Sequence, residues 1–438
     1  MRTIRCDGSP GQLAALSEAL AAALDGGPAV LPVESGEPTP GEPSGGEPSP
    51  GESSLGEASG GEASGGALPD PGAGAALVIQ TSGSSGAAKR VVLSAAALRA
   101  SAEATHQRLG GPGRWLLALP AHHIAGAQLI VRSLLGGHRP TLLDCRGGFR
   151  PERFAQVAAG LLGATEGQRR YTSLVPTQLH RILTGGPNNR GTHQTAHQAA
   201  HQAALRALRG FDAVLVGGAA MPASLRAQAL AQGVAVICTY GMSETAGGCV
   251  YDGVPLRGVQ VRLDPADGRI WLAGPMLSSG YLDDPDRTAQ VLREGWLRTS
   301  DIGQVEPDGR LRVLGRIDDV IITGGQKVHP AAVERVLTAQ PGIRAACVVG
   351  LTDPEWGQLV AAAVVCDPTN PNPPSLDGAA GLNSAIRAEL GPASVPRLLH
   401  QLPELPLRGI GKPDRAAVAK LLAAERGEAV QSLAGTTI

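Results

Sequence analysis

Aromatic residues are scarce in this sequence, whose 438 residues include three Phe, four Trp and four Tyr. The core must therefore be mainly aliphatic. Hydrophobic residues still make up 42% of the chain and charged residues 18%, which is ordinary for a globular enzyme. The chain is long enough for about three domain-sized units, so a single small module is excluded.

The sequence also has almost no net charge, since 38 Lys and Arg stand against 39 Asp and Glu, which gives -1 at pH 7. Without a global basic field, we expect neither nucleic acid nor an anionic membrane surface as a partner. No apolar run reaches the roughly 20 residues of a membrane span, and the N-terminus lacks a signal-like segment in which basic residues precede an apolar run. We therefore expect a cytoplasmic protein. The six cysteines form no CxxC pair, which predicts reduced thiols.

Two low-complexity tracts interrupt the chain. Residues 34–75 repeat Gly-Glu every five residues, and this composition offers too little apolar surface to offset the entropy of ordering. We predict a disordered insertion there, with a partner-binding arm as the alternative. Residues 190–204 place His193, His197 and His201 at helical spacing. We interpret this tract as a solvated helix extension rather than a metal site, because no carboxylate or cysteine completes the set.

Elsewhere, short β-rich runs alternate with amphipathic helical stretches, which predicts an α/β fold with substantial parallel pairing. From about residue 255 the pattern changes to short hairpins, which indicates a β-rich subdomain. A smaller α+β unit follows, with a helix over Pro330–Thr338 and another from near Ser384. We predict a large N-terminal domain of layered α/β sheets over residues 1–316 and a small, mobile C-terminal α+β domain over 317–438. A hinge at residues 315–317 would join them.

The sharpest motif is TSGSSGAAK, residues 81–89, directly after a candidate strand. Its hydroxyl and backbone N–H groups can converge on a triphosphate, and Lys89 adds a positive charge. It is not a Walker loop, because Ala87 and Ala88 separate the last glycine from the lysine. A flexible Gly/Ser turn is the alternative.

A second motif, TYGMSETAGG at residues 239–248, also follows a candidate strand. Tyr240 offers an aromatic face for a base, and Thr239 and Ser243 offer hydroxyl groups. Glu244 is a carboxylate that could hold Mg²⁺ against phosphate oxygens. Each of these residues could also be structural when taken singly.

Two further strings carry charged candidates. Asp301 and Arg316 are spaced so that they could grip a ribose diol from two sides. Lys412 stands between Gly411 and Pro413 in LPLRGIGKPDR, a segment suited to exposure rather than to packing.

These four strings, in this order, resemble the adenylate-forming enzymes, the family of acyl-CoA synthetases, luciferases and carrier-loading adenylation domains. The resemblance implies two half-reactions, in which ATP and a carboxylate give an acyl adenylate and CoA then displaces AMP. It implies ATP, Mg²⁺ and CoA as ligands, with small molecules as partners; a homo-oligomer is compatible with the sequence. It implies Lys412, Thr81 and Glu244 as catalytic residues, the last two also as metal ligands. The implied ATP site comprises Thr81, Ser82, Gly83, Ser84, Ser85, Gly86, Lys89, Gly217, Gly218, Ala219, Thr239, Tyr240, Gly241, Met242, Ser243, Asp301 and Arg316.

The same resemblance implies motion of the C-terminal domain. Asp318 matches the family's hinge position. A rotation there would withdraw Lys412 and bring Gly324, Gly325 and Lys327 toward the CoA thiol.

Residues 119–137, 172–183 and 214–222 narrow the resemblance to one branch of the family, the o-succinylbenzoate-CoA ligases of menaquinone biosynthesis. That branch implies an aromatic substrate with a second carboxylate, which needs a cationic partner. Arg181 is the first candidate and Arg132 the second. His123 would line the acyl pocket, and His122 would be a structural or rim residue.

Three other functions remain open at this stage. The chain could activate another aryl or acyl carboxylate within the same family. It could load a carrier protein, although no carrier or condensing region follows Lys412. It could also be a non-enzymatic ATP-binding scaffold with an acidic arm for partners.

Overall fold

The computed structural model describes residues 1–35, 70–82, 88–185, 194–367, 380–408 and 411–434. Most of the Gly-Glu tract, the centre of the glycine-rich loop and His193 lie outside these residues. The first half of the chain contains β1 (Arg2–Cys6), α1 (Pro10–Leu24), β2 (Val30–Glu34), β3 (Ala75–Ser82), β4 (Ala88–Ser94), α2 (Ala95–Arg108), β5 (Arg114–Leu117), α3 (Ile124–Leu135), β6 (Thr141–Leu142), α4 (Pro151–Ala164), β7 (Arg170–Leu174), α5 (Pro176–Thr184), α6 (Gln194–Arg209) and β8 (Ala213–Val216).

The second half is richer in short strands. It contains α7 (Ala223–Ala231), β9 (Val236–Met242), β10 (Gly247–Tyr251), β11 (Val254–Pro255), β12 (Gln260–Leu263), β13 (Arg269–Ala273), β14 (Gly280–Tyr281), α8 (Pro285–Val291), β15 (Leu292–Arg293), β16 (Trp296–Val305), β17 (Leu311–Arg316), β18 (Ile321–Thr323), β19 (Gln326–Val328), α9 (Pro330–Thr338), β20 (Ile343–Asp353), β21 (Gly357–Cys366), α10 (Ala380–Leu390), β22 (Leu398–Gln401), β23 (Leu407–Arg408), β24 (Lys412–Pro413) and α11 (Arg415–Ala434).

Three sheets form from the strands that precede residue 317. The first has the order β1-β2-β3-β4-β14, and the second has the order β11-β10-β9-β8-β7-β5-β6. In the second sheet β9, β8, β7, β5 and β6 run parallel, which confirms the predicted α/β class. The third is the antiparallel sheet of β12, β13, β15, β16 and β17. It contains short hairpins of the kind predicted from residue 255 onward, since β12 pairs with β13 and β16 with β17.

A fourth sheet, made of β18 to β22, forms the centre of the smaller C-terminal part. Its hydrophobic core is separate from those of the preceding sheets and packs α9 and α10 on one face, while α11 packs on the other. The fold thus has a large α/β part followed by a small α+β part. The limits 1–316 and 317–438 remain predictions.

Local sequence explains where several helices begin. The Ser94 side chain accepts a hydrogen bond from the backbone N–H of Ala97 and caps α2, as its position before the helix predicts. The β-rich pattern of residues 172–176 predicts a strand as far as Pro176, but β7 ends at Leu174 because Pro176 starts α5. The helix expected from near Ser384 is already helical at Ala380.

The second low-complexity tract is helical where it is described. It forms the start of α6, whose later residues Ala204 and Leu208 are buried against α4. His201 packs beside Gly185, whereas the side chain of His197 is outside the described residues, so the three-histidine interpretation stays a prediction. All six cysteines are unpaired. No described helix is both long and apolar enough to cross a membrane.

Candidate active site

A tight hairpin between β9 and β10 carries Glu244. A Cβ on Gly241 would overlap the carbonyl oxygen of Gly247 on the facing strand, so this position requires glycine. The Thr245 hydroxyl fixes the turn by donating to the Gly247 carbonyl at 2.7 Å and accepting from the Met242 N–H at 2.9 Å. These contacts within the turn hold it in place, and the turn presents Glu244 at the carboxyl end of β9.

The neighbouring loop after β8 lies at the same edge of the sheet. Gly217 packs so closely on Thr239 that a Cβ would overlap the Thr239 hydroxyl, and Gly218 has a positive φ of 79°. Ala219 follows in the same partly exposed loop. The carboxyl ends of parallel strands are where α/β sheets bind ligands, so residues 217–219 and 239–243 together form one wall of a candidate nucleotide pocket.

Asp301 faces this wall from the third sheet. The Tyr240 hydroxyl donates a 2.8 Å hydrogen bond to its Oδ2, and Arg316 lies 3.6 Å from its Oδ1. Burial raises the pKa of Asp301, while the Tyr240 hydrogen bond, Arg316 and Lys412 act in the opposite direction. Arg316 also donates to Asp318 at 2.9 Å, so the guanidinium links the site carboxylate to the predicted hinge.

Lys412 approaches the same group from the C-terminal part. Its amine is close enough to Arg316, Asp301 and Glu244 for their charges to act on its pKa, which desolvation and Arg316 lower, while the two carboxylates raise it. The residue as a whole is exposed to solvent, so the amine reaches into the cleft from a surface segment. The preceding Gly411 fits closely against α5, where a Cβ would lie 2.9 Å from the Thr177 hydroxyl.

His123 also borders this cleft. It stands directly before α3, and burial, together with the nearby His122 and Lys412 charges, lowers its pKa to about 4. It is therefore a neutral, partly buried ring at neutral pH, suited to line a pocket rather than to carry charge. The His122 ring lies 4.3 Å from the His123 ring and 3.9 Å from Glu34.

The glycine-rich loop is described only at its two ends. Thr81 and Lys89 are paired across β3 and β4, and the Thr81 hydroxyl donates to the Lys89 carbonyl at 3.4 Å. Residues 83–87 and the Ser82 side chain lie outside the described residues. The Lys89 amine stands 5.7 Å from the centre of the Tyr281 ring, and the Tyr281 hydroxyl donates to Glu244 at 2.8 Å.

The donor set at Glu244 suits magnesium bound together with nucleotide. Within the described parts of the chain, no cluster of three or more His, Cys, Asp or Glu could hold a metal unaided. Mg²⁺ at nucleotide sites uses one or two protein carboxylates together with phosphate oxygens and water. Glu244 uses Oε1 for Tyr281, and its Oε2 receives no hydrogen bond from the described residues, so one carboxylate oxygen is available.

The two arginine candidates lie in different surroundings. Arg181 is exposed on α5, one turn after Thr177, and its side chain has no hydrogen bond or ion pair among the described residues. Arg132 is only 4% exposed, and its guanidinium lies 5.5 Å from the centre of the Trp115 ring. Both roles remain predictions.

The candidate CoA residues lie on the hairpin of β18 and β19. Gly324 and Gly325 both have positive φ, and the Trp356 ring packs on Gly324. Arg397 lies 4.0 Å from the centre of that ring, and Lys327 is exposed nearby. No described contact joins this hairpin to Asp301 or Glu244. Asp318 is exposed in the short turn between β17 and β18.

Three residues that the sequence analysis did not single out shape the site. Tyr281 binds Glu244, Thr177 contacts Gly411, and Arg415 holds the segment that bears Lys412. Arg415 is the last residue of the string LPLRGIGKPDR, three positions after Lys412, so a local signal for it was present in the sequence. Tyr281 and Thr177 carry no comparable local signal, because their partners are distant in sequence.

These features agree with the family to which the chain belongs. The sequence profile of the AMP-binding enzymes matches residues 40–282, and the profile of the AMP-binding enzyme C-terminal domain matches residues 332–412. The chain is a member of the AMP-binding enzyme family.

Individual relatives are similar over most of their length. A probable 2-succinylbenzoate–CoA ligase of Mycobacterium tuberculosis is 43% identical over 358 residues, which cover 80% of this chain and 85% of the relative. The amide bond synthetase McbA from Marinactinospora thermotolerans superposes with a TM-score of 0.65 at 30% identity, covering 80% and 70% of the two chains. The o-succinylbenzoate CoA synthetase from Bacillus subtilis, solved with its acyl-adenylate intermediate, gives a TM-score of 0.61 at 25% identity over 78% and 68%.

Proposed function

We propose that the protein is an ATP-dependent, AMP-forming acid–thiol ligase that makes o-succinylbenzoyl-CoA for menaquinone biosynthesis. The observation that carries this proposal is the convergence of Lys412, Asp301 and Glu244 on one cleft at the carboxyl ends of the parallel strands. The names of the Mycobacterium and Bacillus relatives supply the substrate.

In the first half-reaction a carboxylate oxygen attacks the α-phosphorus of ATP, and pyrophosphate leaves. Two anionic reactants must be held in line, so the protein acts by positioning and by offsetting negative charge. Lys412 supplies a mobile positive charge for the carboxylate and the α-phosphate. Residues 81–89 hold the β- and γ-phosphates. Glu244, with Thr81 nearby, would hold Mg²⁺, which would supply positive charge against the phosphates.

Nucleotide binding uses the remaining polar groups of the cleft. Asp301 accepts hydrogen bonds from the ribose hydroxyl groups, with Arg316 assisting. Its pairing with Tyr240 supports this role, because the hydrogen bond fixes the orientation of the carboxylate. Residues 217–219 and 239–243 form the adenine wall.

In the second half-reaction the CoA sulfur attacks the acyl carbon, and AMP leaves. Rotation at Asp318 would withdraw Lys412 and bring Gly324, Gly325 and Lys327 to the cleft. The separation of this hairpin from Asp301 in the present arrangement supports assigning the structure to the adenylation step.

The second carboxylate of the substrate is assigned to Arg181. Its guanidinium is exposed and lies one helical turn from Thr177, which touches the residue before Lys412. Arg132, the alternative, is buried against the Trp115 ring and would have to become exposed before it could bind a substrate carboxylate. Arg181→Ala should raise the Michaelis constant for o-succinylbenzoate at least about 10-fold and leave that for ATP within about 2-fold, in line with the loss of a charged hydrogen bond. An equal rise for both substrates would contradict the assignment.

Mass analysis of the products tests the whole proposal. The protein is incubated with ATP, Mg²⁺ and CoA together with a panel of carboxylates that includes o-succinylbenzoate. We expect o-succinylbenzoyl-CoA, AMP and pyrophosphate, with thioester formation dependent on all three substrates. A thioester from a different acid would favour another synthetase of the family, transfer to an added amine instead of CoA would favour an amide synthetase, and no product with any acid would favour the scaffold.

A further inference from the structure

Tyr281 lies between Lys89, at the end of the glycine-rich loop, and Glu244. Its short strand β14 pairs with β4, so the residue belongs to the same sheet as the hairpin that carries the glycine-rich loop. Its backbone N–H donates to the Thr288 hydroxyl at 2.9 Å, and the residue is only 9% exposed. Tyr281 is therefore fixed from the side of the first sheet.

The phenol reaches across to the second sheet. Its hydroxyl donates to Glu244 Oε1 at 2.8 Å, while the face of the ring receives the Lys89 amine at 5.7 Å from the centroid. The backbone around Glu244 is tied to the same region, since the Ser278 N–H donates to the Glu244 carbonyl at 2.8 Å. One aromatic side chain thus contacts both the end of the glycine-rich loop and the candidate metal carboxylate.

Glu244 thus accepts a hydrogen bond at Oε1, and within the described parts of the chain no donor reaches its Oε2. The Tyr281 phenol acts as the donor in this contact, and the carboxylate oxygen accepts. A carboxylate whose Oε1 is held in this way has fewer rotamers open to it. The hydrogen bond therefore reduces the ordering cost when Oε2 meets a cation.

We propose that Tyr281 is a positioning residue of the nucleotide site, whose hydroxyl orients the Glu244 carboxylate toward the metal ion of Mg²⁺–ATP. The proposal rests on the assignment of Glu244 as the metal ligand in the proposed function. It does not depend on which carboxylate the protein activates.

The test removes one hydroxyl group and keeps the ring. Binding of α,β-methylene-ATP, which cannot form the adenylate, is measured by titration calorimetry with Mg²⁺ and again with EDTA. For Tyr281→Phe we expect about 10-fold weaker binding with Mg²⁺ and less than about 2-fold weaker binding with EDTA, the size expected for one hydrogen bond to a charged group. Equal losses in both conditions would mean that the residue only supports the fold, and unchanged binding in both would also overturn the proposal.

Tyr251→Phe is the matched control. Tyr251 is fully buried, and its hydroxyl bonds to that of Thr105 at 3.0 Å, at a contact between β10 and α2. It loses the same chemical group, and we expect no change in the Mg²⁺ dependence of binding. If this control shifted the Mg²⁺ dependence as much as Tyr281→Phe does, the effect would be general loosening of the fold.

A double variant separates the proposal from its premise. Glu244→Gln alone should weaken binding in the presence of Mg²⁺; if it does not, the metal role of Glu244 fails. If it does, adding Tyr281→Phe to Glu244→Gln should weaken binding by less than about 2-fold more, because the tyrosine acts through that carboxylate. A full additional 10-fold loss would show that Tyr281 acts independently of Glu244 and would overturn the proposal.

Discussion

Two short segments meet at the site, and they are held in place by different means. The hairpin over residues 239–248 is fixed by close backbone contacts, with glycine required at Gly241 and an internal hydroxyl bridge from Thr245. The segment around Lys412 is held by charge. Arg415 pairs with Asp319 at 3.2 Å and with both oxygens of Glu334, and it donates to the Val348 carbonyl at 2.8 Å.

Under the rotation proposed at Asp318, the hairpin over residues 239–248 would be the permanent half of the site, and the segment around Lys412 would be the movable half. A hairpin whose backbone strands pack this closely has a single arrangement. That suits a surface that must bind ATP in every catalytic cycle. The Arg415 cluster joins residues that all follow Asp318, so it would travel as a unit with the small part of the chain. Under the rotation proposed at Asp318, Lys412 would keep its position relative to that part while its position relative to Asp301 changed.

The largest effect should come from removing the charge of the movable half. Lys412→Ala should slow adenylation by about 100-fold or more, because one positioned charge at the reacting phosphate is lost. Thioester formation from pre-made acyl adenylate should change by less than about 2-fold. Pyrophosphate release and thioester formation are followed separately, and equal losses in both would contradict the division between the two halves.

Next in size is damage to the permanent half. Gly241→Ala should lower the free energy of unfolding by about 3 kcal/mol, since the new Cβ overlaps backbone that cannot move aside. Both half-reactions should suffer together, unlike in Lys412→Ala. Gly160→Ala, on an exposed turn of α4 with open space around it, serves as the control and should be neutral or slightly stabilising in denaturant unfolding.

A smaller effect is expected from the charge cluster. Arg415→Met should cost about 2 kcal/mol, below the range for fully buried pairs because the Arg415 side chain is 29% exposed. Adenylation should fall by about 10-fold, whereas ATP binding by the first part should persist. Arg426→Met, which breaks the Asp353 pair at 2.7 Å elsewhere on α11, is the matched control. If the two variants slowed adenylation equally, Arg415 would have no special relation to Lys412.

The smallest expected effect is a loss of stability at low pH. Burial, together with the nearby Arg132 charge, lowers the pKa of His106 to about 4, so the unfolded chain binds a proton in a range where the folded chain does not. Stability should therefore fall as the pH drops from about 6.5 toward 4, by about 1 kcal/mol between pH 6.5 and 5.5 from this residue. Urea unfolding of His106→Gln should show a flatter pH profile than the parent. An unchanged profile would mean that this ring is already charged when folded.

Glu244, Asp301 and Lys412 could be selected from the sequence as candidates because each lies in a local string with distinctive neighbours. Sequence reasoning could not identify the pairs that orient them. Tyr240 and Asp301 are 61 residues apart, Tyr281 and Glu244 are 37 apart, and Arg415 and Glu334 are 81 apart. Such partners depend on how the sheets pack, which no local periodicity encodes. The α/β class was predictable for the opposite reason, because strand and helix patterns are local.

The Trp356 ring on Gly324 gives the small part of the chain an optical signal of its own. The other three tryptophans, Trp115, Trp271 and Trp296, all precede Asp318 in the sequence. A variant that keeps Trp356 as its sole indole would carry its fluorophore in the turn between β20 and β21, packed against the hairpin assigned to CoA. Its emission, followed by stopped flow, would then report when the small C-terminal part rotates within a catalytic cycle.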